Sequence, residues 1–205
     1  MNDKFFDLKK EKQDKMINGA MQVFALKGYK LASTDDMVKV AGVSKGLWFH
    51  YFVNKSGLYT FIADYCVKYL NMELTNNLSA ELTDYFDILY AIECTKAVIS
   101  KIYPYAPLMI QAMEDEDDEE IVEITGMKLK PYSEKINEAL SVFDNEKLSE
   151  HVSREMLDMT VRYTIRGLRK KAYSHGEFDA DGYLSEIGKY FEMMKKIVYT
   201  DNSEK

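Results

Sequence analysis

Chain breakers, cross-links and membrane-length apolar runs are all scarce in this sequence. Only 3 Pro and 10 Gly interrupt 205 residues, too few for a collagen-like or low-complexity disordered chain. Cys66 and Cys94 are the only cysteines and stand in no CxxC pair, which excludes a disulfide scaffold and the usual zinc-ligand spacing. No stretch approaches about 18 uncharged apolar residues, and the N-terminal MNDKFFDLKKEKQDK has charge without the apolar run of a signal peptide. A soluble protein of the reducing cytoplasm, with no membrane association, is expected. Sustained alternation of apolar and polar residues is also missing, which disfavours sheet, and there is no internal repeat. Arginine is absent from residues 1–60.

What remains is a helix-forming composition with 46% hydrophobic and 30% charged residues and 12 Met. The length fits one substantial domain, or a small module on a larger one, at about 100–200 residues per domain. Charge divides unevenly. Residues 1–60 hold ten Lys against six Asp and Glu, a net of +4, so the rest of the chain carries −11 of the total of −7. A weakly basic head on an acidic body suggests an anion-binding N-terminus, because local potential and not whole-chain charge steers a polyanion.

Apolar spacing outlines the helices. Ile17, Ala20, Met21 and Phe24 fall at i, i+3, i+4 and i+7, which predicts an amphipathic helix from about Asp7 to Lys27, closed by Gly28. Ser33, with a carboxylate three positions on at Asp36, reads as the N-cap of a short second helix that Gly42 stops. Ser44 then caps a third, so AGVS alone joins two short helices in a helix-turn-helix layout. A longer fourth helix opens at Asn54 or Ser56 and ends in a polar joint at 75–79. Further helices are expected at about 80–101, 105–115 and 119–142, with Pro104, Pro107, Gly126 and Pro131 marking ends or kinks.

The stretch 145–174 carries two apolar stripes. Leu148, Val152, Met156, Met159 and Tyr163 make one, and Leu157, Val161, Ile165 and Leu168 make another on nearly the opposite side. A helix apolar on two sides must be covered twice. Together with Leu184, Ile187, Phe191 and Met194 of the last helix, Leu157, Val161, Ile165 and Leu168 are the candidate interface of a four-helix homodimer. The competing reading is a larger core within one chain.

Residues 17–62, INGAMQVFALKGYKLASTDDMVKVAGVSKGLWFHYFVNKSGLYTFI, resemble the DNA-binding region of the TetR family of bacterial transcriptional regulators. F-x-x-K-G-Y, T-D-D-M, A-G-V-S-K-G, H-Y-F and N-K come in the family's order over about 46 positions. The resemblance implies an all-α fold: a three-helix helix-turn-helix DNA-binding domain over residues 1–55, then a larger helical effector-binding and dimerisation domain over 56–205. It implies a homodimeric regulator, most often a ligand-responsive repressor, on a pseudo-palindromic operator in double-stranded DNA.

The residues divide by task. Trp48 and Phe52 point into the core, leaving Lys45, Gly46, Phe49 and His50 outward and Leu47 at the edge. Ser44 to Gly46 at the helix start can approach phosphate or base edges, with Gly46 lacking a side chain that would block the way. By resemblance, Ser33 or Thr34, Tyr51 and Lys55 are expected phosphate contacts. Lys45, Leu47, Phe49 and His50 are candidates for base contacts, since only groove-facing side chains distinguish donor and acceptor patterns. The family's common G-T-L-Y-H-Y-F is here Gly46-Leu47-Trp48-Phe49-His50-Tyr51-Phe52, so two hydroxyls are lost, and without arginine the bidentate reading of guanine falls to Lys45 or to residues outside this segment.

Elsewhere the chemistry is sparse. The acidic run 114–120 lacks calcium-loop spacing and reads as a solvated helix connection. His151 and His175 read as surface residues, and no catalytic constellation, metal site or cofactor motif stands out, so an enzyme is not expected. Tyr69, Tyr103, Met109, Met113, Met127, Met159 and Tyr163 are candidates to line a pocket for an apolar or aromatic small-molecule effector. The leading alternative function is a helical ligand sensor that acts through protein partners without binding DNA.

Overall fold

The computed structural model describes residues 3–174, 176 and 178–200; His175 lies outside them. Its regular elements are helical apart from one isolated antiparallel bridge between Leu148 and Tyr199. In order they are α1 (Lys10–Leu31), α2 (Thr34–Ala41), α3 (Lys45–Tyr51), α4 (Lys55–Asn77), α5 (Tyr85–Ile99), α6 (Ala106–Glu114), α7 (Val122–Leu140), α8 (Arg154–Ala172) and α9 (Ala180–Val198), with 3-10 turns at Asp3–Asp7 and Asn145–Lys147. Gly126 and Pro131 lie inside α7.

Two compact units divide the chain. One joins the chain up to Glu73 with Ile99–Glu134, and the other joins Leu74–Val98 with the chain from Lys135. The division falls within α4, before the last residue of α5 and within α7, so the first unit takes in most of α4. The reason is visible in the first unit: Tyr59 packs edge-on to Phe24 and Tyr29, and Phe61 packs on Phe5 and Phe52, so the start of α4 completes the head's core.

Within the first unit, α1 starts later than its apolar pattern indicates. Residues Asp3–Asp7 form a separate turn, and Gln13 donates back to the carbonyls of Phe6 and Leu8, at 3.1 and 2.7 Å, to close the junction. Gly28 takes φ 68 and ψ 177, which breaks the helix where the sequence places its end. Helices α1 and α2 approach closely at Gly19, where a Cβ would come within 2.8 Å of Ala41 Cβ.

The second unit is built on aromatic contacts, Phe86 against Phe191 and Tyr199 and Phe143 against Tyr85 and Tyr199. Deeper in, Glu93 is buried and ion-paired. Its carboxylate accepts from Arg169 at 2.9 and 3.0 Å, from Lys96 at 2.6 Å and from the Tyr183 hydroxyl at 2.6 Å. Burial pushes the Glu93 carboxyl up, but the Arg169 guanidinium and Lys96 ammonium outweigh it and hold it down at about 2.

The two stripes of α8 are both present and differ in exposure. Leu157, Val161, Ile165 and Leu168 are buried within the protomer, as are Ile187, Phe191 and Met194 of α9, with Leu184 half-buried. These are core, and a second chain cannot reach them without opening the unit. Met156, Met159 and Tyr163 stand exposed instead, and so do Tyr190, Met193 and Ile197 on α9. Leu148 precedes α8, in the bridge to Tyr199.

The candidate pocket set also separates. Tyr103, Met109 and Met113 are buried and Tyr69 half-buried in the first unit, whereas Met127, Met159 and Tyr163 are 61%, 48% and 62% exposed and line no interior. Among the described residues, no helix is long and apolar enough to cross a membrane.

Candidate nucleic-acid interface

The helix-turn-helix is fixed by its caps. Ser33 Oγ accepts from the Asp36 N–H at 3.1 Å and donates to the Asp36 carboxylate at 2.5 Å, so cap and acidic residue lock each other. Gly42 ends α2 at φ 62, in the left-handed region that favours glycine. Ser44 Oγ then accepts from the Leu47 N–H at 3.2 Å and starts α3.

α3 is anchored by one face and open on the other. Trp48 is buried and packs on Phe52 at 5.4 Å between ring centroids. Ser44, Lys45, Gly46, Phe49 and His50 are exposed and Leu47 is half-exposed. A Cβ added at Gly46 would meet no protein atom within 4 Å, so its backbone faces open space. Lys45 pairs with Asp35 at 2.6 Å, and its ammonium lies 5.9 Å from the Phe49 ring centroid. Both members of that ion pair are well exposed, so it is weak enough for a competing phosphate or base to displace. Lys27 is similarly held by Asp36 at 2.8 Å, and Ser33 is exposed while Thr34 is half-exposed.

Two expected phosphate contacts are placed differently. Tyr51 is buried, its ring edge-on to Phe5 at 5.6 Å and to His50 at 4.7 Å. Lys55 turns back onto the end of α1, donating to the carbonyls of Tyr29, Lys30 and Ala32 at 3.0, 3.4 and 3.4 Å, with its ammonium 4.3 Å from the Tyr29 ring centroid. A cation there adds to the Ala32 N–H on the Tyr29 carbonyl and serves the Lys30 and Ala32 carbonyls at the negative end of the helix. Asn54 caps α4, its side-chain oxygen accepting from the Gly57 N–H at 2.7 Å.

The Tyr29 peptide is pinned from the other side as well. Its N–H donates to Glu116 Oε2 at 3.1 Å, and Glu116 Oε1 accepts from the Asp118 N–H at 3.1 Å. The acidic run is therefore more than a solvated connection, since one of its carboxylates docks just after the kink at Gly28 in α1. Burial and the Glu120 carboxylate push the Tyr29 phenol up to about 12. Sequence reasoning missed Glu116, whose neighbours offer no way to single it out. It also missed Phe5, although two adjacent phenylalanines in a polar stretch are a signal.

A model of the family described as bacterial regulatory proteins, tetR family, matches residues 16–60, the segment that holds all these caps and the exposed face of α3. The match covers the head alone; for the rest of the chain the likeness is one of fold. A TetR-family transcriptional regulator from Chloroflexus aurantiacus superposes with a TM-score of 0.66 at 15% identity, over 97% of this chain and 98% of that one. A TetR-family regulator from Agrobacterium tumefaciens gives 0.60 at 17% identity, over 92% and 98%. The fatty acid degradation regulator FadR from Bacillus halodurans gives 0.56 at 18% identity, over 93% and 95%. These likenesses show a shared fold over 92–97% of the chain. No curated protein matches the sequence. TetR-family proteins are transcriptional regulators and not enzymes.

Proposed function

We propose that the chain binds double-stranded DNA as a homodimer, one head per half-site of a pseudo-palindromic operator, and represses transcription until a small molecule releases it. The observation that carries this reading is α3, anchored by buried Trp48 while Lys45, Gly46, Phe49 and His50 face outward on a TetR-type head. A helix held so can lie in a major groove with its start against backbone and its outward residues on base edges. Residues 1–55 then serve DNA binding, and 56–205 serve effector binding and dimerisation, in the cytoplasm where the operator lies.

The exposed stripes of α8 and α9 are the better candidates for the dimer interface, because a symmetric partner covers such apolar faces. For the effector, Tyr69, Tyr103, Met109 and Met113 remain, a set suited to an apolar or aromatic molecule. A fold-mate named for fatty acid degradation is in keeping with that chemistry. A molecule that binds better to the conformation with differently spaced heads would pull the protein off DNA by its differential affinity.

Duplex selection from a random pool followed by cleavage protection tests the reading. The expected result is a protected palindrome whose occupancy falls steeply as salt rises. Failure to protect any duplex at low salt would turn the assignment toward a sensor that acts through protein partners.

A further inference from the structure

We propose that Phe5, which lies outside the helix-turn-helix, is a positioning residue for base reading: it sets Tyr51, and through Tyr51 the direction of His50. The proposal rests on the reading of α3 as the helix that enters the groove. Phe5 is 0% exposed although it lies in a polar N-terminal stretch. Its ring meets Tyr51 edge-on at 5.6 Å, Phe52 at 5.2 Å and Phe61 edge-on at 5.6 Å. Tyr51 and Phe52 are the last residue and the C-cap of α3, so Phe5 closes the end of the recognition helix against the start of α4.

The chain of contact continues outward. His50 is exposed, and its imidazole stands at 85° to the Tyr51 ring, 4.7 Å between centroids. Tyr51 is thus one wall against which His50 rests, and Phe5 backs Tyr51. An imidazole offers a donor and an acceptor at fixed angles, so its discrimination between base edges depends on the plane in which it is held. The segment carrying Phe5 is itself fastened, by the two hydrogen bonds from Gln13 to Phe6 and Leu8. Removing the Phe5 ring takes the backing from Tyr51 and with it the support that Tyr51 lends the His50 ring.

Full-length wild type, Phe5→Ala, Phe5→Leu and Phe6→Ala are titrated against two probes, a duplex selected by the wild type from a random pool and poly(dI-dC). Phe5→Ala is expected to lower the preference for the selected duplex by about tenfold while binding poly(dI-dC) within about twofold of wild type. Phe5→Leu restores most of the preference, and Phe6→Ala, at an exposed ring, leaves it unchanged. The His50 ring-proton resonances move toward free imidazole in Phe5→Ala as the Tyr51 ring current is lost. An unchanged preference, or an equal loss on both probes, overturns the proposal; if Phe5→Ala does not fold, Phe5→Val is read in its place by the same criteria. A wild type that selects no duplex defeats the reading of α3 itself and the proposal with it. That outcome is distinct from a selected duplex that Phe5→Ala still prefers.

Discussion

At the scale of single residues, Lys55 and Glu93 each make contacts that hold their unit together. Lys55 serves three carbonyls at the end of α1 and faces the Tyr29 ring, so it joins the start of α4 to the kink after Gly28. Lys55→Ala is expected to destabilise the first unit by about 1–2 kcal/mol, the combined scale of a charged helix-end contact and a cation–π contact. Urea unfolding followed by fluorescence of Trp48, the only tryptophan, measures it. A lysine acting only on phosphate would leave that midpoint unmoved and reduce the salt slope by about one ion. Glu93 makes the corresponding case in the second unit. Its carboxyl is held at about 2 in the folded state against an unfolded value of about 4.3. The stabilisation it brings is therefore complete above the unfolded value and is lost as pH falls from there toward 2. Far-UV circular dichroism with urea across that window should show the midpoint falling. Glu93→Gln, which leaves Arg169 and Lys96 facing a neutral amide, should cost about 3–5 kcal/mol at pH 7 and abolish this contribution to the pH dependence.

At the scale of elements, caps were legible in the sequence and directions were not. Ser33, Gly42 and Ser44 announce themselves because each acts on backbone groups within three residues, and all three sit where local chemistry puts them. The face of α3 was legible for the same reason, since Trp48 four positions before Phe52 fixes which side is buried. Lys55, Phe5 and Glu116 were not, because their partners lie 20 to 90 residues away in sequence and only the fold brings them near. Helix α8 lies between these cases. Periodicity gives the angle between its two stripes but no absolute direction, and the Leu, Val and Ile stripe faces inward while the Met and Tyr stripe faces out. Phe191→Glu is accordingly expected to bury an unpaired carboxylate and unfold the second unit. Met159→Glu, at an exposed position, should keep full helical content and shift sedimentation from dimer to monomer. A Met159→Glu chain that stays dimeric would remove this stripe from the interface.

At the scale of the whole molecule, the charge distribution and the proposed pairing of the heads together constrain the proposed binding to DNA. The body carries −11 against +4 over residues 1–60, and Lys27 and Lys45 are already paired with Asp36 and Asp35. One head, at +4 with two lysines in exposed ion pairs, attracts a polyanion only modestly, and on the proposed reading useful affinity comes from two heads binding as a unit. Joined heads raise the effective concentration of the second contact only if the half-sites meet both recognition helices without deformation. On B-form DNA that means centres about 34–36 Å apart, or multiples of this, on one face of the duplex. Inserting 5 base pairs between the half-sites of a selected operator turns one of them to the opposite face. Affinity is expected to fall by at least about 100-fold in a gel-shift titration, as one head is left unengaged. A deletion of one half-site should do the same, and the two losses should be equal within about threefold if the pairing is rigid. Heads on freely flexing connections would instead tolerate the insertion far better than the deletion, and that inequality would exclude a rigid pair.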